Sequence, residues 1–404
     1  MERPLDTDES TGWVEDCDHP RNWPKWKKNA QILMVSFHSM GASFMAAGTI
    51  PILILGVAPV FWKPFTTIYG RYPIFLFSVF GCMLCNLGGA FCSSYGAQMV
   101  TRVFAAICVC PPLGVGTGVI TDLCEPHERA QNLAAAGPLI MGFVSGNLGR
   151  HWVFYILALL NFVQFMLYVL LGDETIYPAD RSLRIKNGGG FFAKYRFRRL
   201  NACPLTKYSF CGAFSIVFCY ANIAIIVEMP SVFGQKFGLN AQQIGLQFLV
   251  VIIGSLIGEQ LAGPTSDWFL KAADKRKGSH IPADRLWLSY VGFAAAMAGL
   301  LTWGFQLDNA SSTWNVTPLI GVAIASFGNQ IVMTILISFS IDSHPELATD
   351  VGICLSVAPF YLPAMFKALD FAKAAGVMCV LIVVAALVPI IAIHVAASHH
   401  RAAA

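Results

Sequence analysis

Four ionisable side chains stand inside otherwise apolar stretches, and chemistry is to be expected there: His38, Arg102, Glu228 and Glu259. A charge carried into a low-dielectric interior is costly, so it persists because it works or because it is paired. Histidine titrates near about 6.5 in water, so His38, in Phe37-His38-Ser39-Met40, could bind a proton. The alternative is a neutral imidazole bonded to a neighbouring helix. Arg102, in Thr101-Arg102-Val103-Phe104, either meets a polar partner within its span or snorkels to the surface about two turns away. Glu228 precedes Met229-Pro230 and reads as the last turn of its span, an outer-gate acid or an exposed helix-end carboxylate. Glu259 reads as a functional acid or an interhelical hydrogen-bonding group near the inner end of its span. Five amides, Asn161, Gln164, Asn222, Asn329 and Gln330, either line a substrate cavity or tie helices together. Phe44, Met45, Phe104, Tyr220 and Met333 would suit the walls of a pocket for apolar compounds, or plain lipid and helix contacts.

Other chemistries lack their residues. Cys82-x-x-Cys85 has metal or redox spacing, but no second Cys or His pair lies nearby, so these thiols read as small packing residues. The nine histidines are scattered, and the one adjacent pair is His399-His400. No His-Glu-x-x-His and no Walker-type glycine loop is present, which argues against a zinc protease and an ATP-driven pump. No enzyme activity, cofactor or metal is expected. Gly188-Gly189-Gly190 reads as a flexible linker.

The elements that must position these residues are membrane helices. The 404 residues are 56 % apolar and 12 % charged, with a mean hydropathy of +0.60. A hydrocarbon core of about 30 Å needs roughly 20 apolar residues per helix. Such runs occupy 73–93, 97–121, 152–172, 207–229, 243–263, 286–306, 317–341 and 372–396, with weaker ones at 131–149 and 349–367. Barrel strands of about 10 alternating residues do not fit this pattern. The fold class is therefore an all-α membrane protein. Pro111-Pro112 should kink the run 97–121, while Gly114, Gly116 and Gly118, and Gly254 and Gly258, form ridges for close helix approach.

Charge sets the orientation. The first 28 residues carry seven acids and no apolar core, so the first span is expected to act as an uncleaved signal. The net charge of +4 is small and forms no nucleic-acid footprint. Bases cluster at 25–28, at Lys63 and Arg71, at 181–207 and at 271–285, as on cytoplasmic faces. The loop 307–316 carries no base and holds two glycosylation sequons, at Asn309 and Asn315. Both termini inside requires two crossings between Lys28 and Lys63. Only 34 residues separate them, whereas two spans and a turn need about 45. The segment Phe191–Leu200 alternates aromatics and bases and reads as an interfacial helix.

The order of motifs resembles the major facilitator superfamily, in the fungal drug:proton antiporter type and its polyamine- and cycloheximide-resistance branch. Asp18-His19-Pro20-Arg21-Asn22-Trp23 resembles the lead-in to the first span. Lys63-Pro64 with Tyr69-Gly70-Arg71 resembles the loop between spans 2 and 3, echoed by Gly263-Pro264-Thr265-Ser266-Asp267. Gly137-Pro138-Leu139-Ile140-Met141-Gly142 resembles the antiporter signature of span 5, and Leu171-Gly172-Asp173-Glu174-Thr175 the end of span 6. Gly328-Asn329-Gln330 and Ile341–Glu346 resemble span 10 and its exit. Thr67 and Ile68 replace the family's Asp-Arg pair, and spans 2, 5 and 11 look shortened, as in a chain with internal deletions.

The resemblance implies two six-helix bundles, nominally 12 spans, around a central cavity. The chain then divides into a cytoplasmic tail (1–28), a first bundle (29–172), a basic linker (173–206), a second bundle (207–396) and a cytoplasmic tail (397–404). Arg102 falls at the place of the family's span-4 arginine, which implies proton coupling or binding of a polar substrate group. Lys63, Gly70, Arg71, Gly137, Pro138, Gly263 and Asp267 fall in gating motifs. The implied function is proton-coupled efflux of a drug, toxin or secondary metabolite from the plasma membrane by a monomer, its partners being protons, a small organic substrate and lipid. The alternatives are a nutrient importer on the same fold and a non-transporting remnant.

Overall fold

The computed structural model describes residues 23–45, 69–112, 143–173, 219–277, 285–311, 314–343 and 368–403, with scattered positions between 50 and 66 and at 119, 216–217 and 365–366. Among these residues there are helices and no strands. The first group holds α1 (Lys25–Met45), α2 (Arg71–Phe91), α3 (Tyr95–Val109) and α4 (Arg150–Leu171). The second holds α5 (Ala224–Phe237), α6 (Ala241–Lys277), α7 (Leu286–Asn309), α8 (Thr317–Ser343), α9 (Phe371–Ile382) and α10 (Val388–Ala403). A π turn at Cys219–Ile223 leads into α5, and another at Val383–Leu387 joins α9 to α10. Six stretches are long and apolar enough to cross a membrane: 71–91, 151–171, 241–266, 286–309, 317–339 and 371–395. They fall within about two residues of the expected starts, because each is bounded by glycine, proline or polar residues. Large side chains such as Phe77, Phe91, Leu159, Leu170, Ile257 and Val384 face outward. In water they would be a liability; in lipid they are the solvent-facing surface.

The run 97–121 is interrupted where its two prolines were expected to kink it: α3 stops at Val109, one residue before the prolines, which cannot donate to the ladder, and the described positions 111, 112 and 119 beyond the break are helical again. Three elements differ from the sequence reading. The run 207–229 extends further than expected: α5 continues through Pro230 to Phe237 and closes on Gly238 at φ 64°. Glu228 is therefore not a helix-end residue; it lies mid-helix and is buried. The loop expected from 264 begins as helix, since α6 runs past Pro264 and Asp267 to Lys277. Its last turns, Leu270-Lys271-Ala272-Ala273-Asp274-Lys275, are mostly strong helix formers. α10 likewise carries helix through the expected tail to Ala403.

The helix ends agree with one another. At the end that carries Lys25–Lys28, Lys27 pairs with Asp173 at 2.7 Å and Gln31 Nε2 donates to Leu171 O at 2.8 Å. A Cβ on Gly172 would run into Tyr72, so the start of α2 lies there too. At the opposite end, which carries the sequons, His151 Nδ1 meets Ala90 O at 2.8 Å, Lys236 reaches Leu307 O, and Asp308 accepts from the backbone N–H groups of Phe371 (2.9 Å) and Ala372 (2.7 Å). Exposed aromatics ring both ends: Trp26, Tyr69, Trp268 and Trp287 at the lysine end, Tyr95, Trp152 and Trp314 at the sequon end. That is where amphipathic rings sit at a membrane surface. α1 and α2 both start at the lysine end, so the chain must return between them. The described positions from Ile50 to Tyr69 are helical, and Ala58 and Trp62 pack against α3. From Lys25 through Tyr69 there are 45 residues, about what two spans and a turn need.

Candidate functional site

The polar residues of the first group converge inside it. His38 on α1 is buried between α2 and α4. Its Nδ1 lies 3.3 Å from the Tyr168 hydroxyl and its Nε2 3.3 Å from Ser78 Oγ. Ser78 in turn donates to Cys108 O at 2.5 Å. The Phe75 and Tyr168 rings stand edge-on to the imidazole at 6.0 and 5.8 Å. Of the two readings of His38, the interhelical bond is what the geometry contains. Gln164, one turn before Tyr168, donates to Met34 O at 2.9 Å, so this amide ties α4 to α1. Asn161 donates to Leu157 O at 2.7 Å on its own helix.

Arg102 sits elsewhere in the same group. It lies about two turns from the sequon end of α3, with its guanidinium 5.3 Å from the centre of the Phe154 ring. A cation over an aromatic face at such a distance is worth roughly 0.5–2 kcal/mol. Phe154 and Tyr168 stand 14 residues apart on α4, which places the Arg102 and His38 sites about 21 Å apart along the bundle. Phe104, expected at a pocket wall, is more than half exposed on the surface.

The second group scatters its candidates. Asn222 lies half-buried in the π turn, with Tyr220 buried beside it. Glu259 is buried next to Gly258, whose position on α6 packs against Phe327 O of α8. Asn329 is buried, and its Oδ1 has no hydrogen-bond partner among the described residues. Gln330 is half-buried and Met333 is buried, both further along α8. Gly70 turns the chain into α2 with φ 92°, a conformation that favours glycine. Arg71 starts that helix, whereas Gly263 is an ordinary helical glycine with open space at its Cβ position. Asp267 lies on α6 with its side chain outside the description; Lys63, Gly137, Pro138 and residues 191–200 lie outside the described residues altogether. Asn309 and Asn315 are exposed, and Asn315 Oδ1 accepts from Thr317 N at 3.1 Å.

Sequence reasoning missed Ser78, Tyr168, Phe154 and the pair Asn147–Gln242. The last joins the two groups at the sequon end: Gln242 Nε2 donates to Asn147 Oδ1 at 2.5 Å, and Gln242 also fills the space beside Gly146. None of these has a local motif; only the positions of neighbouring helices single them out.

Residues 29–352 match the family model of the Major Facilitator Superfamily. The chain belongs to that superfamily. This superfamily member resembles the trichosetin biosynthesis cluster MFS transporter of Gibberella fujikuroi (strain CBS 195.34 / IMI 58289 / NRRL A-6831), being 26 % identical over 373 residues, 79 % of this chain and 71 % of the relative. It resembles the probable efflux pump mfs2 of Aspergillus flavus (strain ATCC 200026 / FGSC A1120 / IAM 13836 / NRRL 3357 / JCM 12722 / SRRC 167) at 26 % identity over 331 residues, 73 % of this chain and 77 % of that one. The human organic anion transporter MFSD10 (TETRAN) shares the fold, with a TM-score of 0.53 at 12 % identity, over 91 % of this chain and 87 % of that one. The protein is a membrane transporter and not an enzyme, and small organic substrates are the class such transporters bind.

Proposed function

We propose that this transporter exports a small organic compound of the drug, toxin or secondary-metabolite class from the cytoplasm across the plasma membrane, driven by protons. The positive-inside rule assigns the lysine end to the cytoplasm and the sequon end to the outside. The observation that carries the mechanism is the contrast in contacts. Among the described residues each helix group packs closely within itself, while the hydrogen bond that joins the groups is the one at the outer end between Asn147 and Gln242. Two firm bodies joined by a polar contact can rock about a central site and open it alternately to each side. With the outer contact made, the state in hand has its outer side drawn together. Arg102, near that outer end, supplies a fixed positive group in the wall between the outside and the cavity. Its role is to hold an acidic or polar group of the substrate, or to repel a proton once taken up. The efflux direction rests on the relative named as an efflux pump.

The test is retention of rhodamine 6G in yeast lacking its own exporters, with and without a protonophore. Lower retention in cells carrying the full chain is expected, and the protonophore should abolish the difference. Equal retention with and without the protein would overturn export, and protonophore-insensitive export would overturn proton coupling.

A further inference from the structure

We infer that Glu259 carries the coupled proton of this transporter, holding it as a neutral carboxyl within α6 and releasing it past Gly263 and Ser266 to the cytoplasm. The inference deepens the proton-coupled reading above and rests on it. Glu259 is 8 % exposed and lies inside the membrane-length stretch 241–266. Among the described residues its carboxyl has no ion pair, and the charge of no other side chain acts on it. An ionised carboxylate buried there would have neither water nor a base to hold it, so the group keeps its proton while it is dry. Burial loads this site, and hydration empties it.

α6 provides for hydration. Residues 259, 263 and 266 follow one another at spacings of four and three, which puts them on one face of the helix. A Cβ on Gly263 would meet nothing within 4 Å. A side chain at that position would lie over the turn before it, which is the turn of Glu259. The glycine therefore keeps the approach to the carboxyl clear, at a cost of about 0.5–1 kcal/mol relative to alanine in a helix. Ser266 ends the stretch, about 10 Å beyond Glu259 along the axis. It is buried, and its Oγ has no hydrogen-bond partner among the described residues. A hydroxyl both gives and accepts a hydrogen bond, so it can hand a proton on or hold the water that does. An acid, an open space and an unused hydroxyl thus run in line from the membrane interior to the lysine end. With the outer side drawn together at Asn147 and Gln242, that line leads to the side on which a proton-driven exporter has to release its protons. Release breaks the carboxyl O–H bond, the proton passes to cytoplasmic water, and the carboxylate remains until the next proton is bound.

The helices packed against α6 are α8 and α5. Beside Glu259, α8 presents Phe327 and Gln330, which close on Gly258. The ionisable residue of α8, Asp342, stands well beyond Gln330, about 18 Å nearer the cytoplasm. α5 carries Glu228 and Lys236, and it meets α6 toward the outer end, where Gly234 lies against Ile244. Ile244 is about 22 Å from Glu259 along α6. On α6 itself Asp267 and Lys271 follow Ser266, with their side chains outside the description.

The experiment is infrared difference spectroscopy of the full chain in lipid nanodiscs, following the C=O stretch of protonated carboxyl groups. An ordinary glutamate, with a pKa of about 4.3, is ionised at about pH 6. A carboxyl band that is present at about pH 6 and that Glu259→Gln removes is expected. Glu228→Gln, which alters the other acid buried among the described residues, should leave that band in place. Gly263→Leu fills the open space and should slow the loss of the band after a jump to alkaline pH. Should Glu259→Gln not yield a monodisperse protein, Glu259→Asp replaces it: an acid one methylene shorter should shift the band. A spectrum at about pH 6 that neither substitution at position 259 changes would overturn the inference, as would equal rates of loss in Gly263→Leu and wild type. The measurement needs no transport. A Glu259 band alongside failed export upholds the site and overturns only the transport reading. Protonophore-sensitive export at the wild-type rate in Glu259→Gln overturns the site and leaves the transport reading standing.

Discussion

The two helix groups fill the space between their helices differently. In the second group backbones touch. A Cβ on Gly299 of α7 would lie 2.6 Å from Ala325 Cα of α8, and one on Gly328 would lie 2.6 Å from Gly292 O. Gly321 faces Gly299 O in return, so glycines seven residues apart on each helix pair across the seam. α6 repeats the device, with Gly254 against Ala323 O and Gly258 against Phe327 O. In the first group side chains bridge instead, through His38–Ser78, His38–Tyr168 and Gln164–Met34. The second group buries acids too, Glu228 and Glu259, but on α5 and α6, off the α7–α8 seam. In lipid no hydrophobic force pushes helices together, so association rests on close packing or on hydrogen bonds. One group uses mainly the first, the other mainly the second. A backbone seam has one fit and moves as a unit; a hydrogen-bonded seam can exchange partners while the helices stay where they are.

The most severe test of this contrast is Gly299→Leu, with Gly328→Val as its partner. The colliding atoms are backbone, which cannot turn aside, so overpacking should exceed the usual 1–3 kcal/mol or so. Loss of the monodisperse peak in detergent size-exclusion chromatography is expected. Gly376→Ala and Gly96→Ala, where open space surrounds the Cβ position, should stabilise by roughly 0.5–1 kcal/mol through helix propensity. If Gly299→Leu runs as a normal monodisperse species, the second group is not a close-packed unit.

The next largest effect is on transport. Arg102→Ala should lower rhodamine 6G export at least about tenfold, about 1.4 kcal/mol, with the membrane level of the protein unchanged. Arg102→Lys keeps the charge but not the planar fork of donors, so a partial loss is expected. Phe154→Leu should resemble the lysine variant. Export by Arg102→Ala at the normal rate would mean that Arg102 merely reaches for the outer surface.

The glycine seam was legible beforehand only in part. Gly254 and Gly258 stood out as a ridge, because two small residues four apart share a helix face. Gly292, Gly299, Gly321 and Gly328 did not, since seven-residue spacing carries meaning only when the facing helix is known. Span positions were readable because length and hydropathy are local properties, and the break after α3 was readable from Pro111-Pro112; the end of α5 was not, because Pro230 lies harmlessly inside that helix. His38 was visible as a polar residue in an apolar run, but its partners Ser78 and Tyr168 are 40 and 130 residues away, and neither is unusual for its surroundings. Glu228 was misplaced to a helix end for the same reason as α5: Pro230 reads as a stop.

A smaller effect concerns the outer end. The Asp308 carboxylate, at the end of α7, accepts from the first two backbone N–H groups of α9, Phe371 and Ala372. It caps a helix other than its own and thus joins two helices where backbone contact ends. Asp308→Ala should cost about 1–2 kcal/mol, read as a lower Tm in a thiol-reactive dye assay of the purified protein. An unchanged Tm would show that the seam alone holds α9 in place.

The smallest effect separates charge from packing at the same place. Asp370 and Lys373 pair at 2.6 Å on the exposed first turn of α9. The hydrogen bond from Lys373, aided by its charge, holds the Asp370 carboxyl below its ordinary value. A carboxyl whose folded pKa is depressed contributes stability above the unfolded value of about 3.9, and that contribution is lost as pH falls through the folded value. Asp370→Asn preserves shape and polarity while removing the charge. Wild type should therefore have a slightly higher Tm than Asp370→Asn at neutral pH, with the gap constant down to about pH 5 and closed at the acid limit of the titration. Salt should shrink the gap at neutral pH, because both partners are in water and are screened. A gap that survives into strong acid would have to come from packing, and the outer end of the second group would then be held by shape alone, as the α7–α8 seam is.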